Sequence, residues 1–478
     1  MSRRAPDRVV VVGGGIAGLT AAFRLSQAGS HVTVVEPDRL GGKLQTSVFA
    51  GRPIDEAADA FLLRVPWAAA LCHDLEIDGE LVSPVTRTAH IFVDGTRHPM
   101  PTGHVMGVPT DLESLARTGL ISADGLARVA HEPQIDPDPL VASGADLAIG
   151  PYLRRRLGDE VVDHLVDPLI GGINAGDTAE LSLAAVVPQL DAAARSGDSS
   201  LLRSCAAQLA RGTATAAAPV FATPIGGMAR LVDALLALMP AVDVQVGRVD
   251  AIELTGSTNA VRVTLHDGTV FDADGVVVAC PAYAAGSLLL PIAPGVATTL
   301  RDISHSSVSM VTLAFDRSAV VGDLDASGCL VPRDQETLLT AISYGTSKWA
   351  QWRHPTRDDV ILRVSAGRQR DTRHLDLDDA DLTATLLRDI DRVVGLRGDP
   401  TEVRVGRWTN SFPQYAPGHL DRVTAMEAEL AALPGQPVAL AGAMLRGVGV
   451  PACIHSGERA AADLGATWPT RRSATLLR

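Results

Sequence analysis

The alternation of hydrophobic and polar positions is most regular over residues 8–36. Residues 9–12 are four consecutive valines, and residues 31–35 form a second short, β-branched apolar run. Runs of this kind are typical of buried parallel strands. Between them, residues 20–28 carry apolar side chains at helical spacing, and Gly29 follows where a helix C-cap residue would stand. The pattern predicts a strand–helix–strand unit.

The turn between the first strand and the helix has the G-x-G-x-x-G spacing, with Gly13, Gly15 and Gly18. Free N–H groups at the start of such a helix bind a pyrophosphate, and Glu36, at the end of the second strand, can accept hydrogen bonds from a ribose. Because both strands, the helix and the acid are present, a dinucleotide site is favoured over an ordinary glycine-rich turn. The acid disfavours a 2′-phosphate, so FAD or NAD is favoured over NADP.

A second glycine pair follows at residues 41–42, directly before Lys43. It predicts another close approach of the backbone to a ligand, with Lys43 near a phosphate or ribose. Taken alone, the segment is equally typical of a surface turn before a strand.

The rest of the chain divides by its periodicity into further strands and helices. Residues 90–97 predict a hairpin at Asp94–Gly95, and residues 206–219 a mobile linker. A final strand, glycine loop and helix at residues 436–464 predict a return to the first sheet. The other predicted helices are 67–75, 111–117, 122–130, 140–147, 152–157, 160–166 and 378–394, and residues 224–238 predict a turn followed by an amphipathic helix. The other predicted strands are 242–246, 249–254, 260–265 and 269–271 in an antiparallel meander, and 274–281, 307–315, 338–343 and 360–366.

The fold class expected from these elements is α/β and α+β. We expect a discontinuous FAD-binding Rossmann-like (two-dinucleotide-binding) domain of residues 1–90, 220–282 and 434–468. A mixed α+β substrate-binding domain would comprise residues 91–108 and 283–433. Residues 109–219 would form a helical insertion that touches a membrane surface at most peripherally.

Composition narrows the classes of function. The chain has 478 residues, 46% hydrophobic and 20% charged, with a net charge of −13, which argues against nucleic acid as a partner. Five scattered cysteines without a C-x-x-C favour a reducing compartment and no metal site. No stretch of eighteen apolar residues occurs, and residues 1–7 are too short for a signal peptide, so a cytoplasmic location is expected. The basic run at residues 154–156 is either a solvated helix face or a contact for membrane or substrate.

Three further motifs carry a family resemblance: DPLIGGINAGD at residues 167–177, PQYAPGH at residues 413–419 and RGVGVPACI at residues 446–454. With them, the chain resembles over nearly its whole length the oxygen-dependent protoporphyrinogen and coproporphyrinogen oxidases of haem synthesis, within the FAD-dependent oxidases of amine-oxidase type. The resemblance implies oxidation of coproporphyrinogen III to coproporphyrin III, with FAD as cofactor, O2 as acceptor and H2O2 as product. Protoporphyrinogen IX is the alternative substrate, and ferrochelatase or another haem-pathway enzyme is a possible partner.

The resemblance also implies which residues line the site. Those expected to bind FAD are Gly13, Gly14, Gly15, Ile16, Ala17, Gly18, Glu36, Pro37, Lys43, Ala58, Asp59, Ala60, Phe61, Val249, Trp408, Val448, Gly449 and Val450. Two departures stand out: Ala57–Ala58 replaces a segment that often contains glycine, and Ala443 replaces the acid of a Gly-Asp pair.

Arg64, Asn174 and Tyr415 are the residues expected to bind substrate. Arg64 follows residues 57–61, the loop that the resemblance places beside the flavin ring (the flavin loop). A guanidinium pairs well with a carboxylate, although a plain surface arginine is the alternative. Tyr415 and His419 either edge the pocket or serve packing, and Trp408 either stacks on the flavin or fills the core. No acid or base is nominated. A flavin amine oxidase, a carotenoid desaturase and a non-enzymatic FAD- or NAD-binding regulator stay open.

Overall fold

The structure is a computed structural model that describes residues 5–211, 219–256 and 261–468. The strands are β1 Arg8–Val12, β2 His31–Glu36, β3 Thr46–Phe49, β4 Arg52–Asp55, β5 Phe61–Leu62, β6 Leu81–Val82, β7 His90–Val93, β8 Thr96–Pro99, β9 His104–Val105, β10 Val108–Pro109, β11 Phe221–Pro224, β12 Asp243–Val246, β13 Val249–Leu254, β14 Val261–Leu265, β15 Val270–Ala273, β16 Gly275–Val278, β17 His305–Asp316, β18 Gly328–Leu330, β19 Leu339–Tyr344, β20 Asp359–Ala366, β21 Glu402–Pro413 and β22 Val438–Leu440.

Helices cover much of the remaining chain. They are α1 Ile16–Gln27, α2 Trp67–Asp74, α3 Leu112–Arg117, α4 Ala123–Ala130, α5 Pro139–Ala142, α6 Ile149–Leu157, α7 Asp159–Val161, α8 Asp167–Asn174, α9 Leu183–Val186, α10 Pro188–Ala194, α11 Leu201–Arg211, α12 Ala229–Ala237, α13 Ala282–Leu289, α14 Pro294–Arg301, α15 Gly345–Lys348, α16 Asp379–Val394, α17 His419–Ala431 and α18 Val450–Asp463. A π-helical turn, Val162–Val166, joins α7 to α8. Short 3-10 turns lie at Asp78–Glu80, Glu132–Gln134, Arg317–Ala319, Arg333–Gln335, Ala350–Trp352 and Arg373–Leu375.

A five-stranded parallel sheet with the order β12-β2-β1-β16-β22 forms the centre of the first half. The valines of β1 explain its position, because successive side chains point to opposite faces. Val9 and Val11 pack with α1 and α18 on one side, and Val10 and Val12 pack under the meander on the other. The predicted strand–helix–strand unit and the Rossmann-like fold class are confirmed.

The antiparallel meander β13-β14-β15 covers one face of this sheet. The expectation that residues 242–246 belong to the meander is wrong. They form β12, which pairs in parallel with β2, with Val244 opposite Val34. Alternating side chains in a short edge strand look the same in both kinds of sheet, so periodicity alone does not distinguish them.

A seven-stranded mixed sheet with the order β21-β17-β20-β19-β18-β7-β8 forms the second half. Its pairs are antiparallel except β18 with β7. One face packs against α16, with Val311 and Leu313 beside Leu382 and Leu386. The opposite face is directed toward the flavin-loop region, because Arg363 of β20 reaches the carbonyl of Ala57.

Between residues 111 and 211 the chain is mostly helical around its own apolar cluster. Two expectations fail here. Residues 206–211 belong to α11 rather than to a linker, whereas residues 212–218 of that predicted linker lie outside the described residues. Residues 167–174 form α8, although no helix was predicted there. The prediction missed it because glycine and proline are poor helix formers and this segment contains both. The domain boundaries stay a prediction.

Candidate active site

Two long helices begin at the same edge of the parallel sheet without a side-chain cap. Gly15 is the N-cap of α1, Gly449 is the N-cap of α18, and neither is capped by a side chain. Both helices follow parallel strands, so their N-termini lie at the carboxyl edge, where ligands bind in open α/β sheets. Their free N–H groups and partial positive charges suit the phosphates of a dinucleotide.

The glycines of the first turn meet different spatial constraints. A Cβ on Gly18 would lie 2.0 Å from the carbonyl oxygen of Gly13, so this glycine is required by the protein itself. A Cβ on Gly15 would meet nothing within 4 Å. Gly15 therefore faces open space, which is the room that a pyrophosphate above Ile16 and Ala17 needs. The site fits FAD at this point.

Glu36 organises the adjoining turn. Its carboxylate accepts hydrogen bonds from the backbone N–H of Gly14 at 2.7 Å and of Asp38, just after Pro37, at 3.1 Å. Each carboxylate oxygen retains a lone pair for a ribose hydroxyl. Its backbone carbonyl accepts from Gly247 at 3.0 Å, which places the start of β13, at Val249, beside the same turn.

The second glycine pair lies against the first, because Gly41 donates to the carbonyl of Gly14 at 2.8 Å. Lys43 follows with an exposed side chain, and its ammonium lies 6.0 Å from the ring centre of Phe412. Burial within the surrounding protein lowers the pKa of Lys43, and the nearby Cys453 acts in the opposite direction. Lys43 is thus surrounded by protein atoms while its side chain stays accessible to solvent, as expected for a ligand-facing cation.

The loop of residues 57–61 is tied to the mixed sheet by Asp59. Its carboxylate accepts from Lys348 at 2.9 Å and from the indole N–H of Trp349 at 3.2 Å, and Arg363 lies at 3.4 Å. Burial alone would raise the pKa of Asp59, but the charges of Lys348 and Arg363 outweigh it and hold the pKa at about 2. Asp59 therefore anchors this loop as a carboxylate.

The neighbours of Asp59 differ in exposure. Ala58 and Ala60 are half-buried, whereas Phe61 is 2% exposed and packs in the core beside α1 and α18. The predicted cofactor contacts of Ala58 and Ala60 fit this position. The contact predicted for Phe61 stays a prediction, and its buried ring has a packing role.

The C-terminal glycine loop, residues 442–449, is held in place by Tyr415, which follows β21, and by His419, the first residue of α17. The hydroxyl of Tyr415 donates to the carbonyl of Ala443 and accepts from the N–H of Gly447 at 3.1 Å. His419 Nε2 bonds to the carbonyl of Leu445 at 2.6 Å. Val448, Gly449 and Val450 continue from this loop into α18. Sequence reasoning placed Tyr415 among the substrate-binding residues, and the structure directs its hydroxyl to the loop backbone.

Trp408 lies on β21 opposite Val308 and is half-buried. Its indole Nε1 is buried and has no hydrogen-bond partner among the residues that the structure describes. A buried donor of this kind needs a partner, so Trp408 fits a ligand-facing position. The neighbouring Arg407 is bound to Asp379 at 2.8 Å and is not available to a ligand.

The two remaining substrate-binding predictions lie in different surroundings. Arg64 is exposed and makes no ion pair or hydrogen bond within the described part of the chain. It lies near His104, and the pKa of His104 is lowered mainly by burial and secondly by the charge of Arg64. Asn174 is buried and donates to Ile170 at 2.8 Å, within its own helix. Arg64 is therefore free to bind an anion, whereas the side chain of Asn174 is used within α8, where it binds the carbonyl of Ile170.

The basic run of α6 is neutralised by acids. Arg154 pairs with Asp163 and Arg156 with the buried Glu132. Within residues 5–211, 219–256 and 261–468, no group of three or more histidine, cysteine, aspartate or glutamate residues could hold a metal ion. No helix in those same ranges is long and apolar enough to cross a membrane.

Comparisons with known proteins place the chain in a family. Residues 16–465 match the family described as flavin containing amine oxidoreductase. Coproporphyrinogen III oxidase of Bacillus subtilis (strain 168) is 34% identical over 466 residues, covering 95% of this chain and 97% of the relative. Coproporphyrinogen III oxidase of Mycobacterium tuberculosis (strain ATCC 25618 / H37Rv) is 35% identical over 468 residues, covering 95% and 96%.

Solved structures agree on the architecture. A crystal structure from Exiguobacterium sp. 255-15, assigned in its description to protoporphyrinogen oxidase, has a TM-score of 0.83 and 29% identity, covering 96% of this chain and 98% of that chain. Cyclohexylamine oxidase from Brevibacterium oxydans IH-35A has a TM-score of 0.68 at 18% identity, covering 96% and 99%, which shows the shared fold.

The fold, the two uncapped helix N-termini and the match over residues 16–465 define a flavoprotein oxidoreductase. The chain belongs to the flavin containing amine oxidoreductase family. FAD is its cofactor.

Proposed function

We propose that this chain is an FAD-dependent porphyrinogen oxidase that converts coproporphyrinogen III to coproporphyrin III, with O2 as acceptor and H2O2 as product. The observation that carries the proposal is the match of 95% of the chain to relatives named coproporphyrinogen III oxidase at 34–35% identity. When bound, FAD would supply the two-electron acceptor for the methylene bridges of the substrate. The six-electron conversion to the porphyrin takes three such oxidations, and so three O2 reduced to three H2O2.

The protein's own residues bind and orient the two molecules. In this proposal Gly15, Glu36 and Lys43 hold the phosphate and ribose end of FAD. The loop anchored by Asp59 and the indole of Trp408 lie along its ring system.

Arg64 supports a carboxylate-bearing substrate. It is an exposed guanidinium without a partner among the described residues, four positions after Ala60 in the flavin loop. A guanidinium binds a carboxylate through two parallel hydrogen bonds. In a chain with a net charge of −13, a free cation at this place offers local attraction for the propionates of coproporphyrinogen.

The second candidate substrate is protoporphyrinogen IX. Protoporphyrinogen oxidase 1, chloroplastic, of Arabidopsis thaliana is 25% identical over 481 residues, covering 95% of this chain and 87% of the relative. Its two carboxylates would use fewer cations. An amine substrate is disfavoured, because amine oxidases commonly bracket the amine with two aromatic side chains and this chain has only four tyrosines.

Aerobic turnover of both porphyrinogens tests the proposal. The FAD-loaded protein is mixed with coproporphyrinogen III or protoporphyrinogen IX, and porphyrin fluorescence and peroxide are followed against an enzyme-free control for auto-oxidation. The expected result is faster porphyrin formation from coproporphyrinogen III, with peroxide produced in parallel. No enzyme-dependent porphyrin from either substrate would refute the proposed function, and faster turnover of protoporphyrinogen IX would refute the substrate preference.

A further inference from the structure

A buried arginine without a partner lies just beyond the end of β20. Arg368 is 8% exposed, and its Nε is buried without a hydrogen-bond partner. Within the described ranges, its guanidinium makes no ion pair and no hydrogen bond. Burying an uncompensated charge is costly, and buried arginines are normally paired. The buried guanidinium of Arg368 therefore lacks a compensating anion within the described residues.

The charges around Arg368 leave it as a surplus cation. Two guanidiniums, of Arg333 and Arg373, and two carboxylates, of Asp167 and Asp371, act on it. Arg333 pairs with Asp167 at 2.9 Å, and Arg373 pairs with Asp371 at 2.7 Å. Both carboxylates are thus already engaged. Among these five groups, three cations face two anions; a third carboxylate, of Asp389, acts on Arg373 but is not among the groups that act on Arg368.

The guanidinium stays charged at neutral pH. Burial lowers the pKa of Arg368 to about 10, and the charge of Arg333 acts in the same direction. A pKa of about 10 still leaves the side chain protonated near pH 7. These five groups therefore carry a net charge of +1 at neutral pH, which an anion would compensate.

The position of Arg368 links this charge to the candidate active site. On the same strand, Arg363 donates to the carbonyl of Ala57 in the flavin loop at 2.6 Å. Arg368 follows five residues later, so an extended chain would place its Cα about 16 Å from the Cα of Arg363. Next to it, the backbone N–H of Gln369 donates to the carbonyl of Ala175, at the end of α8, at 2.9 Å. In the same helix, the side chain of Ile173 is 54% exposed. Arg368 thus lies where the mixed sheet meets α8, five residues along the chain from the arginine that contacts the flavin loop.

We infer that Arg368 is a second carboxylate-binding residue of the active site and takes a propionate of the porphyrinogen remote from the flavin. The inference rests on the proposed function. A bound carboxylate would convert three cations and two anions into a balanced cluster and would satisfy the orphaned Nε. Arg64 and Arg368 would then hold different propionates of one substrate, which favours a substrate with more carboxylates.

Two arginines of the same cluster provide a matched comparison in the FAD-loaded protein. Arg368→Met removes the surplus charge, so it should raise the melting temperature of the substrate-free protein. Arg333→Met leaves the buried Asp167 without its ion-pair partner, with only the hydrogen bonds from Thr178 remaining among the described residues, so it should lower the melting temperature. A purely structural role for Arg368 predicts a loss of stability in both variants, so a lowered melting temperature in Arg368→Met would overturn the inference.

Steady-state kinetics tests the binding role directly. In Arg368→Met, KM for coproporphyrinogen III should rise by about 10- to 100-fold, the loss expected for a charge-assisted hydrogen bond, with a much smaller change in kcat. Arg368→Lys should recover part of the loss, because it keeps the charge without the fork geometry. An active wild-type enzyme with an unchanged KM in Arg368→Met would overturn this inference alone, whereas an inactive wild-type enzyme would overturn the proposed function with it.

A free anion is the remaining occupant to test. Sodium propionate is titrated into wild type and Arg368→Met while the melting temperature is followed. Arg368-dependent stabilisation by propionate alongside the raised KM supports the carboxylate site. Stabilisation by propionate with an unchanged KM would assign Arg368 to a small free anion and overturn its role toward the substrate.

Discussion

The rings of Tyr415 and His419 are stacked, with 4.2 Å between their centroids and an interplanar angle of 20°. Both side chains bond to the backbone of the same loop, Tyr415 at Ala443 and Gly447 and His419 at Leu445. The two residues are 2% and 1% exposed. This pair therefore fixes the loop that leads into the uncapped N-terminus of α18, and we expect it to couple the position of that loop to FAD binding.

The first prediction concerns the Tyr415 hydroxyl. Tyr415→Phe keeps the ring stacking but leaves the N–H of Gly447 and the carbonyl of Ala443 without this partner, at a cost of about 1–3 kcal/mol. FAD should bind more weakly and the holoenzyme should melt earlier, as measured by flavin fluorescence on dilution and by thermal unfolding. Tyr283→Phe, at a 46% exposed position, is the control. Equal FAD affinity in Tyr415→Phe and wild type would contradict the coupling.

The second prediction separates a glycine required by the ligand from one required by the fold. Gly15→Val should give a folded protein without FAD, because the added side chain enters open space that the pyrophosphate would occupy. Gly18→Ala should destabilise the fold itself, because its Cβ would collide with Gly13. Circular dichroism and flavin absorbance report the two effects. Full FAD occupancy in Gly15→Val would refute the assignment of this turn.

The third prediction is a loss of stability in mild acid that depends on His419. Burial lowers the pKa of His419 to about 4, with its bond to Leu445 acting in the opposite direction. The unfolded chain, with an ordinary histidine pKa near 6.5, therefore binds more protons between about pH 4 and 6.5. The contribution of neutral His419 to the free energy of unfolding is complete above about pH 6.5. It is lost as the pH falls toward 4, by up to about 3 kcal/mol.

Urea unfolding of wild type and His419→Gln across pH 4–7 measures this contribution. Asp55, whose pKa burial raises to about 6, works with the opposite sign but is present in both proteins, so the difference between them isolates His419. The stability gap should narrow as the pH falls. A gap that is constant with pH would show that His419 is not the titrating group.

The fourth prediction concerns Arg64. Arg64→Ala should raise KM for coproporphyrinogen III by about tenfold or more without changing FAD content, because its guanidinium has no partner to lose within the described structure. Arg117→Ala is a suitable control, since Arg117 is a surface arginine paired with Glu113. An unaltered KM in Arg64→Ala would return Arg64 to the role of a plain surface residue.

Local patterns were sufficient for the cofactor turn but not for the contacts between the two sheets. The valines of β1, the glycines after it and Glu36 lie within thirty residues, and their spacing alone predicts their arrangement. Asp59 meets Lys348 and Arg363 only because β20 and α15 are brought to the flavin loop, and nothing near Asp59 in sequence signals them. One available hint was composition, since Lys43 and Lys348 are the only lysines of the chain and both lie near the cofactor loops.

Burial was the other quantity that periodicity could not supply. Tyr415 reads as a pocket residue in its motif, yet both of its hydroxyl partners are backbone groups of a loop about thirty residues away. Arg154 and Arg156 read as a basic run, yet acids from other segments neutralise them. Arg368 has no sequence motif of its own, and only its burial without a partner distinguishes it from the other arginines.

The most direct test of the central claim is anaerobic mixing of the FAD-loaded protein with coproporphyrinogen III, while the oxidised-flavin absorbance is followed. We expect rapid bleaching by coproporphyrinogen III, slower bleaching by protoporphyrinogen IX, none by a simple primary amine, and recovery of the colour on admitting air. A flavin that stays oxidised with coproporphyrinogen III, or that is bleached faster by the amine, would contradict the assignment of this chain as a porphyrinogen oxidase.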